Sequence, residues 1–290
     1  MRLQYTIGNN KKGDTASISH ISDLVNLSVR SISSDHFELN LPKISAVIIS
    51  YNEEAIIKQT LQKLWWCNEI IIIDSGSTDN TTSICEEFGC SVFYRSFDGF
   101  GEQKKYGVLK ASNDWILCID ADEVLTDELI EELRTAISSD NSSFAGYSMP
   151  RNLVFMNKVF NHGKESTASI IRLFNRKHGN WDGAVVHEKL ILDGPVKKLK
   201  NKILHYSYKD YNQFLAKINL YSTLGARKMI YNRNGKGKLL ITIAIPFNFL
   251  KYYIFDRNFL NGYHGFSWSI LNTFYHFVKY MKLNELKKAR

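Results

Sequence analysis

Trp115-Ile116-Leu117-Cys118-Ile119-Asp120-Ala121-Asp122-Glu123 is a short apolar run that ends on three carboxylates. Such a run fits a strand buried on both faces of a parallel sheet, and Thr126-Asp127-Glu128 supplies an N-cap and early acids for a helix over Leu129 to Ile137. The acids are therefore expected at the strand's carboxyl end. Side chains two apart on a strand point the same way, so Asp120 and Asp122 are placed to grip one hard cation, and Mg²⁺ or Mn²⁺ keeps open positions for phosphate oxygens. Read alone, an Asp-X-Asp triplet fits a solvated strand-end turn equally well.

Upstream, a strand, a polar loop and a helix occur twice in succession. Pro42-Lys43 introduces the β-branched strand Ile44 to Ser50, then Tyr51-Asn52-Glu53-Glu54 and an amphipathic helix from Ala55 to about Trp66. Glu69 to Ile73 is the next strand, Asp74 to Asp79 its loop, and Asn80 to Phe88 its helix, closed by Gly89; Cys90 to Tyr94 is a third short strand. This alternation predicts an α/β fold with a doubly wound, mostly parallel sheet, whose ligands lie outside the carboxyl ends of the strands. The loops at Tyr51 to Glu53, Asp74 to Asp79 and Asp120 to Glu123 then share one rim. The Ser-Gly-Ser-Thr-Asp loop has neither the Walker lysine pattern nor Gly-x-Gly-x-x-Gly, which disfavours a P-loop ATPase and a Rossmann dehydrogenase. A nucleotide held by strand-end carboxylates remains.

The 290 residues, 44% of them hydrophobic, are enough for one catalytic domain with an appendage. We divide them into an extension over 1–43 with no assigned function, the sheet domain over 44–208, and a helical C-terminal region over 209–290. Cys67, Cys85, Cys90 and Cys118 have no CxxC spacing and read as reduced, packed thiols, which points to the cytoplasm. Neither a secretory leader nor a membrane-spanning run is expected from the hydropathy pattern. The net charge of +8 admits nucleic acid, an anionic membrane surface or a phosphorylated substrate. No nucleic-acid motif accompanies the C-terminal lysines, so a membrane surface with an anionic acceptor is the expected partner.

The series AVIISYNEE, EIIIIDSGSTDNT and the strand ending IDADE resembles family 2 glycosyltransferases with the glycosyltransferase A fold, over roughly Ile44 to Arg134. Further on, RSFDGFGEQKKYG, GAVVHEKL and HYSYKDYNQFLAKINLYSTLGA resemble bacterial lipopolysaccharide core β-1,4-glucosyltransferases. The resemblance implies that Tyr51, Glu53 and Asp74 hold the uridine of a UDP-hexose; the alternative for Asp74 is a cap on the next helix. Gln103, Lys104 and Asp120 are expected at the nucleotide's diphosphate or donor sugar, although a solvated helix start also accounts for the lysine. An inverting transfer needs a carboxylate base across the site from the metal. Glu188 matches the family's position for it, with Asp182 in reserve, but the family's Glu-Asp pair is here His187-Glu188, which leaves His187 as an acceptor contact. His205 is implied as a third metal ligand beside Asp120 and Asp122, or else is a structural histidine. Arg172 is expected to pair with an acceptor phosphate, or to be a surface arginine.

Together these features predict a metal-dependent inverting glycosyltransferase, moving glucose from UDP-glucose to the lipopolysaccharide inner core, peripheral on the inner face of the cytoplasmic membrane. The rivals are a transferase for capsule, exopolysaccharide or glycoprotein, and a non-catalytic membrane-associated module. The apolar run Leu239 to Leu250, broken by Pro246, is too short to span a bilayer. The closing segment places Trp268, Leu271, Phe274, Tyr275, Val278 and Met281 at helical spacing, which predicts an interfacial anchor or a face docked on the sheet domain.

Overall fold

The computed structural model of the chain describes residues 42–139, 143–166, 168–182, 188–208, 210–231 and 238–288. Nearly all of the extension over 1–43, and residues 183–187 including His187, lie outside the described residues.

Four parallel strands, β1 (Ile44–Ser50), β2 (Glu69–Asp74), β3 (Ser91–Tyr94) and β4 (Trp115–Asp120), lie side by side in the order β3-β2-β1-β4. Helices α1 (Ile57–Gln62), α2 (Thr81–Glu87) and α3 (Phe100–Lys110) connect them. β1 is flanked by strands on both edges and covered on both faces, which is why its sequence is apolar without alternation. Its side chains nevertheless alternate in direction. Ala46 and Ile48 enter a core shared with Leu61, Leu64 and Leu129, whereas Val47 enters the opposite core with Val108 and Phe174. Truncating Ile48, which is wholly buried, removes about 2–5 kcal/mol. On the second face α3 lies so close to β1 that a methyl group on Gly107 collides with Val47, which fixes the helix and the side chains it carries.

The second half of the sheet is mixed. β5 (Glu123–Leu125) and α4 (Asp127–Ser139) follow β4; β6 (Gly146–Phe155), β7 (Lys158–Val159) and β8 (Ser169–Asn175) come next. β9 (Gly179–Trp181) and β10 (Leu190–Leu192) form a separate antiparallel pair, and β11 (Val196–Lys198) and β12 (Ile203–Tyr208) each pair with β6. β8 runs antiparallel to β4, β6 antiparallel to β8, and β12 parallel to β6 and antiparallel to β5. α4 has the cap read from the sequence: the Leu129 N–H donates to Thr126 Oγ1 at 3.3 Å, with Asp127 and Glu128 in the first turn. α1 is shorter than the predicted Ala55 to Trp66: bonds three residues back, from the Ile56 N–H to the Glu53 carbonyl before it and from the Lys63 and Leu64 N–H groups to the Thr60 and Leu61 carbonyls after it, make turns of its flanks.

Three C-terminal helices follow: α5 (Tyr211–Tyr231), α6 (Lys238–Leu250) and α7 (Gly262–Lys288). α6 continues through Pro246, where the sequence predicted a break, and passes into a π-helical turn over Lys251–Phe255. The closing segment is helical as predicted, but its apolar stripe is split. Trp268 is buried with its ring centroid 5.2 Å from that of Phe155 and 5.6 Å from that of Phe214, and Leu271 and Tyr275 pack on the same cluster. Phe274 and Met281 remain exposed, joined by Phe266 and Ile270. One face of α7 docks and the adjacent face does not.

Candidate active site

Strand register sets the rim. Ser50 lies opposite Asp74 and Ile49 opposite Asp120, so β1, β2 and β4 finish at one level. Asp74 is buried there. Its Oδ1 accepts from the N–H groups of Gly76 (2.9 Å) and Ser77 (2.7 Å), and its Oδ2 from the hydroxyls of Ser50 (2.9 Å) and Ser77 (2.5 Å). A carboxylate has about four acceptor positions, and all are taken. Asp74 thus shapes its loop, and the nucleotide contact expected of it requires one of these bonds to be released. Gly76, at φ +97°, permits the fold-back. Asn52, also left-handed, ties the first loop to the second through its N–H to Ser77 Oγ (2.9 Å) and its Oδ1 from the Thr78 N–H (2.8 Å). Tyr51, beside it, is 58% exposed.

The strand-end acids do not share one direction. β4 stops at Asp120 and the chain turns through Ala121 and Asp122 before β5, so the two-residue alternation ends there. Asp120 turns to cations: Oδ2 lies 2.7 Å from Arg172 Nη2 and Oδ1 lies 3.1 Å from Lys104 Nζ. Burial alone raises a carboxyl pKa, but here Arg172 and then Lys104 outweigh it and hold Asp120 well below the ordinary range. Glu123, fully buried, takes Arg172 Nη2 at 2.6 Å and Arg151 Nη1 at 3.4 Å, and its other oxygen accepts the Asp120 N–H at 3.2 Å. Arg172, expected at an acceptor phosphate or on the surface, is here paired with Asp120 and Glu123. It is 5% exposed and spans two carboxylates beneath the rim.

Gln103 and Lys104 are likewise internal. Gln103 is fully buried and donates to the carbonyls of Arg95 (3.0 Å) and Ser96 (3.2 Å) and to the hydroxyl of Ser75 (3.3 Å), which ties the approach to α3 to the loop that follows Asp74. Lys104, in the second turn of α3, is 2% exposed and so is not the solvated lysine of the alternative reading; its Nζ sits 2.8 Å from Glu188 Oε1 and 4.6 Å from the Trp181 ring centroid. Burial disfavours the ammonium most, but the Asp120 carboxylate, with further help from its other neighbours including the hydrogen bond to Glu188, outweighs it, so its pKa is raised. Asp182 is exposed, donates its N–H to the Lys189 carbonyl at 2.9 Å and accepts the Lys189 N–H on Oδ1 at 3.1 Å. This bonding brings Asp182 next to Lys189, the residue after Glu188.

Asp122 meets His205 instead, with Oδ2 3.3 Å from Nε2. The Ser207 hydroxyl adjoins the same imidazole, 2.9 Å from Nδ1. The expected trio of ligands does not assemble: among the described residues no group of three or more Asp, Glu, His or Cys side chains is arranged to hold an ion. An Asp and a His side by side still suit Mg²⁺ or Mn²⁺, which take few protein ligands when substrate phosphates and water fill the remaining positions. Asp122, but not His205, lines a cleft of about 210 Å³, together with Glu53, Asn157, Tyr206, Tyr208 and Lys217. A second cavity of about 300 Å³ lies at the opposite, amino ends of β1 and β4, near Lys43 and Asn113, away from these acids.

A model of glycosyl transferase family 2 matches residues 45–199, more than half of the chain. The chain belongs to glycosyl transferase family 2. The enzyme is thus a glycosyltransferase, and its relatives agree. A glycosyltransferase of uncharacterized specificity from Rickettsia bellii (strain RML369-C) is 31% identical over 86% of this chain and 88% of its own length. The lipopolysaccharide core biosynthesis glycosyltransferase LpsC of Rhizobium meliloti (strain 1021) is 27% identical over 84% of this chain and 93% of its own. Glucosyl-3-phosphoglycerate synthase from Mycobacterium tuberculosis, solved with Mn²⁺, UDP and glucosyl-3-phosphoglycerate, aligns over 38% of this chain and 44% of its own, at 23% identity and a TM-score of 0.34.

The glycosyltransferase also carries site residues that the sequence did not single out. Glu123 stood in the quoted acidic run without a role of its own, and its partners Arg151 and Arg172 lie 28 and 49 positions away. Lys217 is part of α5, where nothing local marks it; its Nζ donates to the Ser207 carbonyl at 2.8 Å beside the cleft. The first depends on strands that only the folded sheet brings together, the second on how α5 packs back on the strand before it.

Proposed function

We propose that the enzyme transfers a hexose with inversion, glucose from UDP-glucose, onto the inner core of lipopolysaccharide. The observation that carries this reading is the meeting of Glu188, Lys104 and Asp120: a carboxylate remote in sequence is brought to the end of β4, and two residues further along the chain Asp122 pairs with His205. In this reading Tyr51 and Glu53 receive the uridine on a loop shaped by Asp74. Asp122 and His205 would hold Mg²⁺ or Mn²⁺, which when bound would supply positive charge for the leaving diphosphate. Glu188 takes the proton from the acceptor hydroxyl while that oxygen bonds to the anomeric carbon and the bond to the diphosphate breaks. Asp182, held by Lys189, is the weaker candidate for that proton.

The acceptor assignment draws on the relation to LpsC. A membrane-borne acceptor also suits the C-terminal helices. Phe247, Phe255 and Tyr263 are 60%, 71% and 74% exposed, and residues 238–288 carry seven Lys or Arg against two Asp or Glu. Among the described residues no helix is long and apolar enough to cross a membrane. We therefore place the enzyme on the inner face of the cytoplasmic membrane, lying in the interface. The test is UDP release from a panel of nucleotide sugars over lipopolysaccharide truncated to its inner core. UDP-glucose is expected to be the productive donor; turnover with another sugar nucleotide alone replaces the donor, and transfer to no core acceptor replaces the acceptor.

A further inference from the structure

The buried charges form one unbroken line. Glu188 meets Lys104, Lys104 meets Asp120, Asp120 meets Arg172, Arg172 meets Glu123, and Glu123 meets Arg151, with contacts of 2.8, 3.1, 2.7, 2.6 and 3.4 Å. Signs alternate along it, so each interior charge faces an opposite charge on either side. Its members come from α3, β4, β5, β6 and β8, and all but one sit on regular elements. The exception is Glu188, which lies outside any helix or strand, two residues before β10. A side chain on such a segment has no helix or strand of its own to hold it. What fixes its carboxylate is the ammonium opposite.

We infer that Lys104 is the positioning residue for the base: it anchors Glu188 to the donor-side strand end by bridging it to Asp120, and it is not a ligand of the donor's diphosphate. The inference rests on Glu188 being the base. Four features carry it. Lys104 is 2% exposed, so it is out of reach of a ligand at the rim without rearrangement. Its ammonium is engaged on two carboxylates and over the Trp181 ring, which leaves little capacity for a phosphate. Its helix is locked onto β1 at Gly107, one turn further along, so its root does not move. Lastly, an ammonium donor suits this place: one cation on a flexible stem serves two carboxylates from separate elements.

A base displaced by about 1 Å loses on the order of 10²-fold in rate, whereas a lost diphosphate contact appears in donor binding. The experiment is a double-mutant cycle of Lys104→Met and Glu188→Gln in the full chain, read as kcat with UDP-glucose and inner-core lipopolysaccharide, beside calorimetric binding of UDP. Lys104→Met is expected to lower kcat about 10²-fold, with UDP affinity within about twofold of the parent. The double variant is expected to be no slower than Glu188→Gln alone, since Lys104 acts through that carboxylate. If Lys104→Met instead weakens UDP tenfold at unchanged kcat, or if the two losses multiply in the double variant, the assignment is overturned while the base reading stands. If Glu188→Gln keeps most of its turnover, the base reading fails and takes this inference with it. Should Met not fold at a buried cation site, the same cycle is run with Lys104→Arg. That variant keeps the charge and is expected to recover kcat to within about tenfold of the parent; a diphosphate role predicts a shift in UDP affinity instead.

Discussion

Arg172 Nη2 lies 2.7 Å from Asp120 Oδ2 and 2.6 Å from Glu123 Oε1, so a single guanidinium nitrogen joins the end of β4 to the start of β5. Both ends of the turn that carries Asp122 are thereby held from below. Arg172→Met strips two buried carboxylates of a shared partner, and breaking a buried pair in this way costs about 3–5 kcal/mol. Urea unfolding is expected to show a loss of that size, with little change in acceptor KM for whatever folded fraction remains. A loss under about 1 kcal/mol, accompanied by a raised acceptor KM, returns Arg172 to the acceptor.

Asp122 and His205 give a prediction for the metal. Calorimetry of UDP with and without Mn²⁺ is expected to show a metal-linked component that Asp122→Asn and His205→Asn each weaken by about tenfold or more, as loss of a ligand costs no less than loss of its supporting shell. Asp120→Asn is expected to act differently, lowering stability through Lys104 and Arg172. Normal turnover by the Asp122→Asn enzyme at low Mn²⁺ removes the metal from this pair.

Glu165 supplies a test of pH dependence remote from the chemistry. Burial, with Asp256 adding repulsion, raises its pKa above the ordinary glutamate range. A raised carboxyl means that the folded protein binds its proton more tightly than the unfolded chain does. Folding is therefore penalised above the folded pKa, and the penalty fades as pH falls toward the unfolded value of about 4.3. Glu165→Gln is expected to raise the melting temperature at pH 8 and to give a smaller gain at pH 5. An equal effect at both values would falsify the assignment.

The exposed face of α6, the π turn and α7 predicts lipid binding that salt weakens. Each lysine near an anionic leaflet adds roughly 1 kcal/mol, which screening reduces. The full chain is expected to float with phosphatidylglycerol-containing liposomes at low salt, and Phe247→Glu with Phe255→Glu to release it without changing UDP binding. Trp268→Ala is the contrasting variant. It removes a ring packed on Phe155 and Phe214 and is expected to cost about 3–5 kcal/mol of stability instead. If the parent chain stays in solution at low salt, the face has another purpose.

Local sequence was sufficient for the parallel half of the sheet. The apolar runs at Ile44 to Ser50 and Trp115 to Asp120 have one low-energy placement, between other strands, and the polar residues that end them must then gather at the carboxyl rim. The helix after Thr126 and the loop from Asp74 to Asp79 were readable for the same reason: caps and turns are settled by residues three or four positions apart. The partners of the side chains were not. Asp120 and Asp122 diverge because the strand ends between them, and a strand's end is a matter of where its neighbours stop. Lys104 reads as a surface lysine until α3 is pressed onto β1 and Glu188 arrives from 84 positions away. Only the folded sheet decides which charges are neutralised in pairs and which face the cleft, because an ion pair between remote residues leaves no periodicity in the chain that forms it.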